Sequence, residues 1–436
     1  MSKLTEIFIG GERPHGECLI GAEHELLCLN ADGRVPGYEG RQGIAAVLNE
    51  LADALGWQHT LEANQVIGLK GATASVTLEP GGQLELAGSP STQLHSVADE
   101  VRNFHQALTQ ITKPLGLTFF GMGLRPMTAL CDVPTMPKSR YEIMKNLMPT
   151  LGSRSLEMMF ATATIQTNLD FRDEDDMARK YRVSACLSPV VAALFANSPY
   201  QNGRPTGRMT ERYAIWDDTD TQRSGRFDWM LDHKQSYHNY ARWAAEQRML
   251  FLYRNGIYKP ASDHSFTVHA QSAGAEPHDW EQHLAGIFPE IRLKSFLELR
   301  SADAGCGQMV IALNALWTGI LYDQQSLDMA DELTRDWTSA SWQQLATSAA
   351  TDGLSGVSDY GSLRELAAAV LTLAEGGLER RAYLDDKGQD ERLYLAPLHV
   401  LVHLGLSQAE LMIQRFGDDA QSALEFAAKD LWEFPW

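Results

Sequence analysis

Alternating apolar and polar positions predict three strand-bearing stretches in the first third of the chain. They cover residues 18–29, 74–88 and 117–124. Between them, apolar residues recur every three or four positions over residues 43–55 and 92–111, which is the spacing of a helix with one buried face. The second helix follows Ser91 and Thr92, which are residue types that cap helix N-termini. Strands and helices therefore alternate, but too irregularly for a repeated parallel βαβ fold.

The middle third continues this alternation. A strand pattern covers residues 158–171, a helical pattern covers residues 175–195, and residues 200–212 form a loop rich in Gly, Pro and Arg. Residues 290–300 predict one strand with an apolar face and a polar face. The polar face is where we expect chemistry, and it carries Arg292, Lys294, Phe296, Glu298 and Arg300.

The pattern changes character after Cys306. It becomes helical and rich in Ala and Leu, as over residues 363–375 and 407–416, and no convincing strand remains. We therefore expect an α+β catalytic core over residues 1–305. Residues 306–436 are expected to form a mainly helical part that packs on the same unit.

Composition adds limits on partners and location. The 436 residues include 37 Lys and Arg against 56 Asp and Glu, which gives a net charge of −19. This charge excludes nucleic acid as a default partner, because binding its backbone requires basic patches. No apolar run suits a signal peptide or a membrane span, so we expect a soluble cytoplasmic protein with no membrane partner. The five cysteines are scattered and should be reduced and mostly buried.

Pairs of carboxylates stand out in two of the predicted strand regions. Glu23 and Glu25 are two residues apart in an apolar strand, so both point to one face. Glu79 and Glu85 flank a Pro-Gly-Gly turn signal and could meet on a hairpin. Carboxylates brought together in this way suit Mg²⁺, which prefers hard oxygen ligands. The alternative for both pairs is a surface strand or hairpin whose acids face water.

A third pair combines an acid with a base. Glu298 and Arg300 share one face of their strand, so a carboxylate and a guanidinium could meet the same phosphate. An exposed ion pair, worth about 0–1 kcal/mol, is the alternative. The five carboxylates together predict a site for several Mg²⁺ ions, a nucleotide and a transferring phosphoryl group.

These segments together resemble the glutamate-cysteine ligase family, in its plant and proteobacterial type and its actinobacterial branch. The matching pieces follow the family's order along nearly the whole chain, at residues 20–25, 78–90, 136–141, 158–168, 194–199, 287–292, 298–303 and 376–381. The resemblance implies a fold like the glutamine synthetase catalytic domain, with a curved, mainly antiparallel sheet flanked by helices. It also implies that ATP phosphorylates the γ-carboxylate of L-glutamate. The amine of L-cysteine then attacks, giving γ-glutamylcysteine as a first step towards glutathione-type thiols.

The resemblance further implies which residues form the site. Metal and nucleotide carboxylates would be Glu23, Glu25, Glu79, Glu85 and Glu298. Arg300 would steady the transferring phosphoryl group, and Gln166 and Asn168 would supply neutral polar contacts. Arg140 and Arg212 would bind substrate carboxylates; without the resemblance, solvated loop arginines are the alternative. ATP would be the co-substrate with more than one Mg²⁺, and the protein would be a monomer or a homodimer.

Two departures from the family pattern concern substrate binding, the first a contact to substrate or nucleotide and the second the acceptor pocket. Ala161 stands where the plant type has an arginine, and the segment over residues 258–279 is shortened. The main alternative is therefore a γ-glutamyl ligase with a different amino acid or amine acceptor in a specialised pathway. A glycosidase would use only two of the acids, and an inactive regulatory homologue would need loss of ligands that are all present.

Overall fold

The computed structural model of the chain describes residues 2–14, 16–261, 264–272 and 274–436. Its strands, in chain order, are β1 (Ile20–Asn30), β2 (Gln58–Glu62), β3 (Gln65–Lys70), β4 (Ser75–Leu78), β5 (Leu84–Ala87), β6 (Leu117–Phe120), β7 (Ile165–Leu169), β8 (Tyr200–Gln201), β9 (Arg204–Pro205), β10 (Ser224–Gly225), β11 (Phe251–Arg254), β12 (Ile257–Pro260), β13 (Phe288–Pro289), β14 (Ile291–Leu293), β15 (Leu297–Leu299), β16 (Val357–Ser358) and β17 (Gly361–Ser362).

The α-helices occupy the spaces between these strands and most of the C-terminal third. They are α1 (Ser2–Ile9), α2 (Ile44–Leu55), α3 (Leu94–Leu115), α4 (Ser139–Leu147), α5 (Ser155–Ala161), α6 (Glu174–Leu194), α7 (Glu211–Asp217), α8 (Tyr237–Glu246), α9 (Phe266–His269), α10 (Asp279–Leu284), α11 (Gly307–Leu321), α12 (Gln324–Leu333), α13 (Ser339–Asp352), α14 (Leu363–Arg381), α15 (Ala396–Leu404), α16 (Gln408–Phe416) and α17 (Ala420–Ala427).

One large sheet organises the described residues. Its strand order is β14-β15-β7-β1-β5-β4-β3-β2, and β6 pairs with the second half of β1. Every pairing within it is antiparallel. The predicted α+β fold with an antiparallel sheet is therefore confirmed, and the long strand β1 lies at its centre.

Alternation along β1 separates a helix-covered face from an open face. Ile20, Ala22, Leu26 and Cys28 are buried, and they join cores that include residues of α2, α3 and α11. Because side chains of a strand alternate between faces, Glu23 and Glu25 point away from these helices. The hydrophobic pattern of β1 thus fixes the side on which its acids meet solvent or ligand.

The first helices after Cys306 pack on the covered face, whereas α16 and α17 share a core with Leu27 and Leu29 on the other side of β1. The first of them, α11, is apolar nearly all round and contacts β1, β7, α3 and α14. Gly377, from the Gly-Gly pair near the end of α14, lies where a Cβ would collide with the carbonyl oxygen of Gly319 on α11. The glycine therefore permits the close crossing of the two helices. The small strands β16 and β17 show that this part is not free of strand structure.

Two predicted strands have a different structure. Over residues 158–171, the first positions belong to α5 and only Ile165–Leu169 form a strand. Residues 290–300 do not form one strand but a hairpin, in which β14 and β15 pair Arg292 with Glu298. Its turn contains Lys294, whose backbone N–H donates to the carbonyl of Phe296 over 2.8 Å. The reversal brings Arg292 beside Glu298 instead of six positions away along a strand.

Two further expectations need correction. The N-cap of α3 is Gln93, not Ser91 or Thr92, and the Glu391 carboxylate accepts from the Leu94 N–H over 2.6 Å. The predicted loop over residues 200–212 contains the hairpin β8–β9, and its last two residues begin α7.

The cysteines and the helix lengths add two plain findings. All five cysteines have free thiols, and Cys28, Cys186 and Cys306 are buried, whereas Cys18 is half-buried and Cys131 is exposed. None of the helices in the described ranges has both the length and the apolar character needed to cross a membrane.

Candidate active site

A cavity of about 220 Å³ opens on the uncovered face of the sheet. Eight of the ten site residues predicted from the sequence line it, namely Glu23, Glu25, Glu79, Glu85, Arg140, Gln166, Arg212 and Arg300. They come from segments spread over almost 280 positions of the chain. The other two, Asn168 and Glu298, lie beneath the lining and contact residues that form it.

The acidic wall of the cavity is built by β1 and the β4–β5 hairpin. Glu25 lies directly opposite Glu85 in the β1–β5 register, and the hairpin turn carries Glu79. The Thr77 hydroxyl lies 2.7 Å from Glu85 Oε2 and 3.2 Å from Glu79 Oε1. The hairpin expected from the Pro-Gly-Gly signal therefore exists, and its two acids do approach each other.

Neutral amides hold the remaining acid of this wall. Asn168 Nδ2 donates to Glu23 Oε1 over 2.7 Å, and Gln166 Nε2 donates to Glu23 Oε2 over 3.2 Å. Both amides come from β7, where Gln166 lies opposite Glu23 in the register. They orient this carboxylate without neutralising its charge.

Burial makes the acidic wall electrostatically unfavourable. Burial and the charge of Glu79 raise the pKa of Glu25 to about 8. Burial and the neighbouring glutamates raise the pKa of Glu85 well above its ordinary value, and burial and the charge of Glu298 raise the pKa of Glu23. Carboxylates close to one another in low dielectric disfavour ionisation, so a cation placed among them would be strongly favoured.

On β15, the next strand beyond β7, the Glu298 carboxylate is surrounded by cations. Its oxygens accept from Arg292 Nη2 over 2.8 Å, from Arg300 Nη1 over 2.7 Å and from Lys294 Nζ over 3.2 Å. Although burial alone would raise the pKa of Glu298, these three charges hold it well below its ordinary value. Arg300 also donates to Gln166 Oε1 over 2.6 Å. We call Glu298, Arg292, Lys294 and Arg300 the cationic corner.

Arg140 and Arg212 are not solvated loop arginines. Arg140 lies in the first turn of α4, and its Nη2 is 3.6 Å from Glu79 Oε1. Arg212, on α7, has a side chain only 2% exposed, and its nearest carboxylate, Asp303, is 4.0 Å away. Its Nε is buried and has no hydrogen-bond partner among the described residues. A buried guanidinium with an unused donor facing a cavity is suited to bind a carboxylate.

The acidic wall fits a divalent metal chemically. Glu25 and Glu85 offer hard oxygen donors whose mutual repulsion a cation would relieve. In the described part of the chain, no three acidic, His or Cys side chains lie close enough to hold an ion as they stand. Binding would therefore require new rotamers of the flexible glutamates.

Several lining residues were not predicted as part of the site. One group is apolar or aromatic and comprises Tyr141, Met144, Met158, Met159, Trp216, Phe251 and Phe288. Trp216 is one helical turn from Arg212, so the helical spacing could have identified it. Arg292 also lines the cavity and was missed because its strand was expected to continue. Ala161, at the end of α5, is buried but does not line the cavity.

Comparisons of sequence identify related proteins. The family model described as glutamate-cysteine ligase family 2 (GCS2) matches residues 19–429. Over 435 residues the chain is 38% identical to chloroplastic glutamate–cysteine ligase B of Oryza sativa subsp. japonica, an alignment that covers 98% of this chain and 86% of the rice protein. It is also 38% identical over 409 residues to the chloroplastic glutamate–cysteine ligase of Arabidopsis thaliana, covering 92% and 76% of the two chains.

Solved structures share the fold at low sequence identity. Glutamate–cysteine ligase from Francisella tularensis, solved in complex with AMP, matches with a TM-score of 0.57 and 12% identity, over 96% of this chain and 88% of that one. A bifunctional glutathione synthetase from Pasteurella multocida matches with a TM-score of 0.50 and 12% identity, over 98% of this chain and 54% of that one. The architecture described above is therefore one that solved ligases adopt.

Proposed function

This chain belongs to glutamate-cysteine ligase family 2, and on that basis we propose that it forms γ-glutamylcysteine from L-glutamate, L-cysteine and ATP. In the proposed reaction the γ-carboxylate of glutamate attacks the γ-phosphorus of ATP and releases ADP. The cysteine amine then attacks the γ-carbonyl carbon of γ-glutamyl phosphate. A C–N bond forms, the C–O bond to phosphate breaks, and the amine loses a proton. Membership of this family removes the glycosidase alternative.

The arginines supply the recognition of substrate carboxylates in this proposal. Arg212 is buried, lines the cavity and has an unused Nε among the described residues. Arg140 also lines the cavity, next to Glu79. Two guanidinium groups can hold the α-carboxylates of the two amino acids, which leaves the γ-carboxylate directed towards the nucleotide.

The acidic wall would hold more than one Mg²⁺ through Glu23, Glu25, Glu79 and Glu85. When bound, such ions neutralise the charge of the triphosphate and of the phosphoryl group in transfer. Arg300 lines the same cavity and is fixed by Glu298 and Gln166, so its guanidinium is oriented before substrate arrives. The Glu298 carboxylate is already paired with Arg292, Lys294 and Arg300. The metal role expected for Glu298 from the sequence therefore stays a prediction.

The thiol of the acceptor would face the apolar wall. Met144, Met158, Met159 and Phe251 line the cavity and offer polarizable, adaptable contacts to a small sulfur-bearing side chain. Phe251 belongs to β11, whose partner β12 leads into the divergent segment over residues 258–279. Residues 262, 263 and 273 of that segment lie outside the described residues. Because this edge of the cavity departs from the family pattern, another amino acid acceptor is the second candidate.

One observation carries the proposal: acids and arginines from distant segments converge on a single cavity. The test measures phosphate release from ATP in the presence of Mg²⁺, glutamate and each of the twenty amino acids, with every product identified by mass spectrometry. We expect release to require both amino acids and the product to be γ-glutamylcysteine. Efficient ligation of another amine would support the second candidate, and phosphate release without an acceptor-dependent product would contradict both.

A further inference from the structure

Arg125 is a buried arginine whose hydrogen bonds are all to backbone. Its side chain donates from Nε to the Phe160 carbonyl over 3.0 Å, from Nη1 to the Cys28 carbonyl over 3.3 Å and from Nη2 to the Gly81 carbonyl over 2.7 Å. Only 1% of the residue is exposed. Among the described residues no carboxylate lies within ion-pair distance of it. A charged side chain without a counter-ion is costly to bury, so its placement calls for a specific reason.

The three carbonyls belong to three segments that supply the cavity. Cys28 follows Glu25 on β1, and Gly81 lies in the turn that carries Glu79. Phe160 is the next residue after Met158 and Met159, which line the apolar wall. One rigid guanidinium therefore joins the central strand, the hairpin turn and the end of α5. Arg125 itself does not line the cavity.

The end of α5 explains why a cation is stable there. The last carbonyls of a helix lack partners within the helix and carry partial negative charge. Gln83 Nε2 donates to Met159 O over 3.3 Å, the Arg125 side chain serves Phe160 O, and the Arg125 backbone N–H donates to Ala161 O over 2.9 Å. The terminal carbonyls of α5 are thus satisfied by Arg125 and by the hairpin that carries the acids.

The hairpin turn is pressed closely against this helix end. A Cβ at Gly81 would lie 2.5 Å from Phe160 O, and the Gly81 N–H donates to Gln83 Oε1 over 2.9 Å. There is no space for the turn to move towards α5. The Nη2 bond of Arg125 opposes movement away from it, so the position of Glu79 relative to Glu25 is fixed from both sides.

We propose that Arg125 is a positioning residue that sets the spacing of Glu79 and Glu25 for the cations that the acidic wall would hold. The inference rests on the proposed function, because it names the residue that prepares this wall for Mg²⁺ and ATP. A lysine would bring one ammonium group where the structure uses three separate N–H directions. It cannot reach all three carbonyls, so the turn would gain freedom while the charge is retained.

The test compares Arg125→Lys with Arg182→Lys in the full-length protein. Arg182 is the control, because it is also buried and donates to the backbone carbonyls of Thr334 and Arg335 outside the cavity lining, in addition to its ion pair with Asp331. We expect Arg125→Lys to weaken Mn²⁺ binding, followed by electron paramagnetic resonance without turnover, by about 10–100-fold, as for other groups that orient metal ligands. The half-saturating Mg²⁺ concentration should rise in parallel, while the KM for cysteine stays within about twofold.

Gly81→Ala provides a second route to the same contact, because its new methyl group would push the turn away from Phe160 while Arg125 is intact. It should weaken Mn²⁺ binding in the same direction. A merely structural role would lower the melting temperature of Arg125→Lys and Arg182→Lys alike and leave Mn²⁺ binding unchanged, which would overturn the proposal. If the wild-type protein binds Mn²⁺ but makes no γ-glutamyl product, the proposed function fails. The role of Arg125 is then still tested by comparing Mn²⁺ binding of the wild type and the variants.

Discussion

The acidic wall and the cationic corner lie on one sheet, with β7 between β1 and β15, and give their glutamates opposite electrostatic surroundings. Burial raises the pKa of Glu25 to about 8, and neither it nor Glu85 has a cation within ion-pair distance among the described residues. Glu298 is fully buried, whereas Glu25 is half-buried, and yet Arg292, Lys294 and Arg300 hold the pKa of Glu298 well below its ordinary value. The difference lies in the neighbours and not in burial.

This comparison shows how one fold prepares two electrostatic tasks. Acids on β1 and β5 form a negative site that lacks cations, which is suited to bind metal ions from solution. On β14 and β15, Glu298 instead forms ion pairs with guanidinium groups and thereby orients them. A carboxylate in a cavity is therefore not by itself evidence of a metal ligand, and its existing partners decide its role.

The largest expected effect comes from neutralising the acidic wall. Glu25→Gln should lower kcat by about 10²–10³-fold, since it removes an oxygen donor that we propose holds a cation. Because the variant also removes a repulsive buried charge, its metal-free form should be at least as stable as the wild type near pH 8. Steady-state kinetics and chemical unfolding check these two results. Glu365→Gln, at an exposed helix start, is the control. Full activity of Glu25→Gln would place Glu25 outside the metal site.

Neutralising the cationic corner should give a different pattern. Glu298→Gln leaves the buried Arg292 and the partly exposed Arg300 and Lys294 without their shared partner, so we expect the free energy of unfolding to fall by about 3 kcal/mol. We also expect kcat to fall by about 10²-fold because Arg300 loses its orientation. Denaturant unfolding and kinetics of the same preparation separate the two effects. A variant that loses Mn²⁺ binding but no stability would instead support the predicted metal role of Glu298.

A smaller effect is expected at Arg212. Arg212→Lys keeps the charge but loses the planar fork, so the KM for glutamate should rise about tenfold with a smaller change in kcat. Initial rates at varied glutamate and saturating cysteine provide the measurement. An unchanged KM would assign Arg212 to a structural role with Asp303.

A final effect concerns pH and isolates the raised pKa of Glu25. Its pKa rises from 4.5 to about 8 on folding, so the folded protein binds this proton more tightly than the unfolded chain. The stability that Glu25 contributes is therefore present below its unfolded pKa and is lost as pH rises through about 8. In metal-free buffer, the free energy of unfolding of the wild type minus that of Glu25→Gln should decrease as the pH rises from about 5 to about 9. A difference independent of pH would contradict the assigned pKa.

Much of the site followed from the sequence because alternation and turn signals are local. The spacing of Glu23 and Glu25 fixed their common face, and the Pro-Gly-Gly turn brought Glu79 towards Glu85. The cytoplasmic location and the division after Cys306 stay predictions.

The rest depended on contacts that local patterns do not encode. Alternation is the same whether a strand continues or reverses, and Lys-Ser-Phe at residues 294–296 contains no Gly, Pro, Asn or Asp to mark a turn. The β14–β15 hairpin, and with it the contact of Arg292 with Glu298, was therefore missed. The short apolar run at residues 158–161 fits a strand and a helix equally well. Glu391 caps α3 from 297 positions away, and Arg125 joins three distant segments, so neither contact has a sequence signal.

Anomalous diffraction from crystals grown with Mn²⁺ and a non-hydrolysable ATP analogue would test most directly whether the acidic wall binds the nucleotide's cations. We predict manganese peaks bonded to carboxylate oxygens of Glu25 and Glu85, at about 2.0–2.2 Å. Manganese bound to the nucleotide elsewhere, with Glu25 and Glu85 free of metal, would contradict the account.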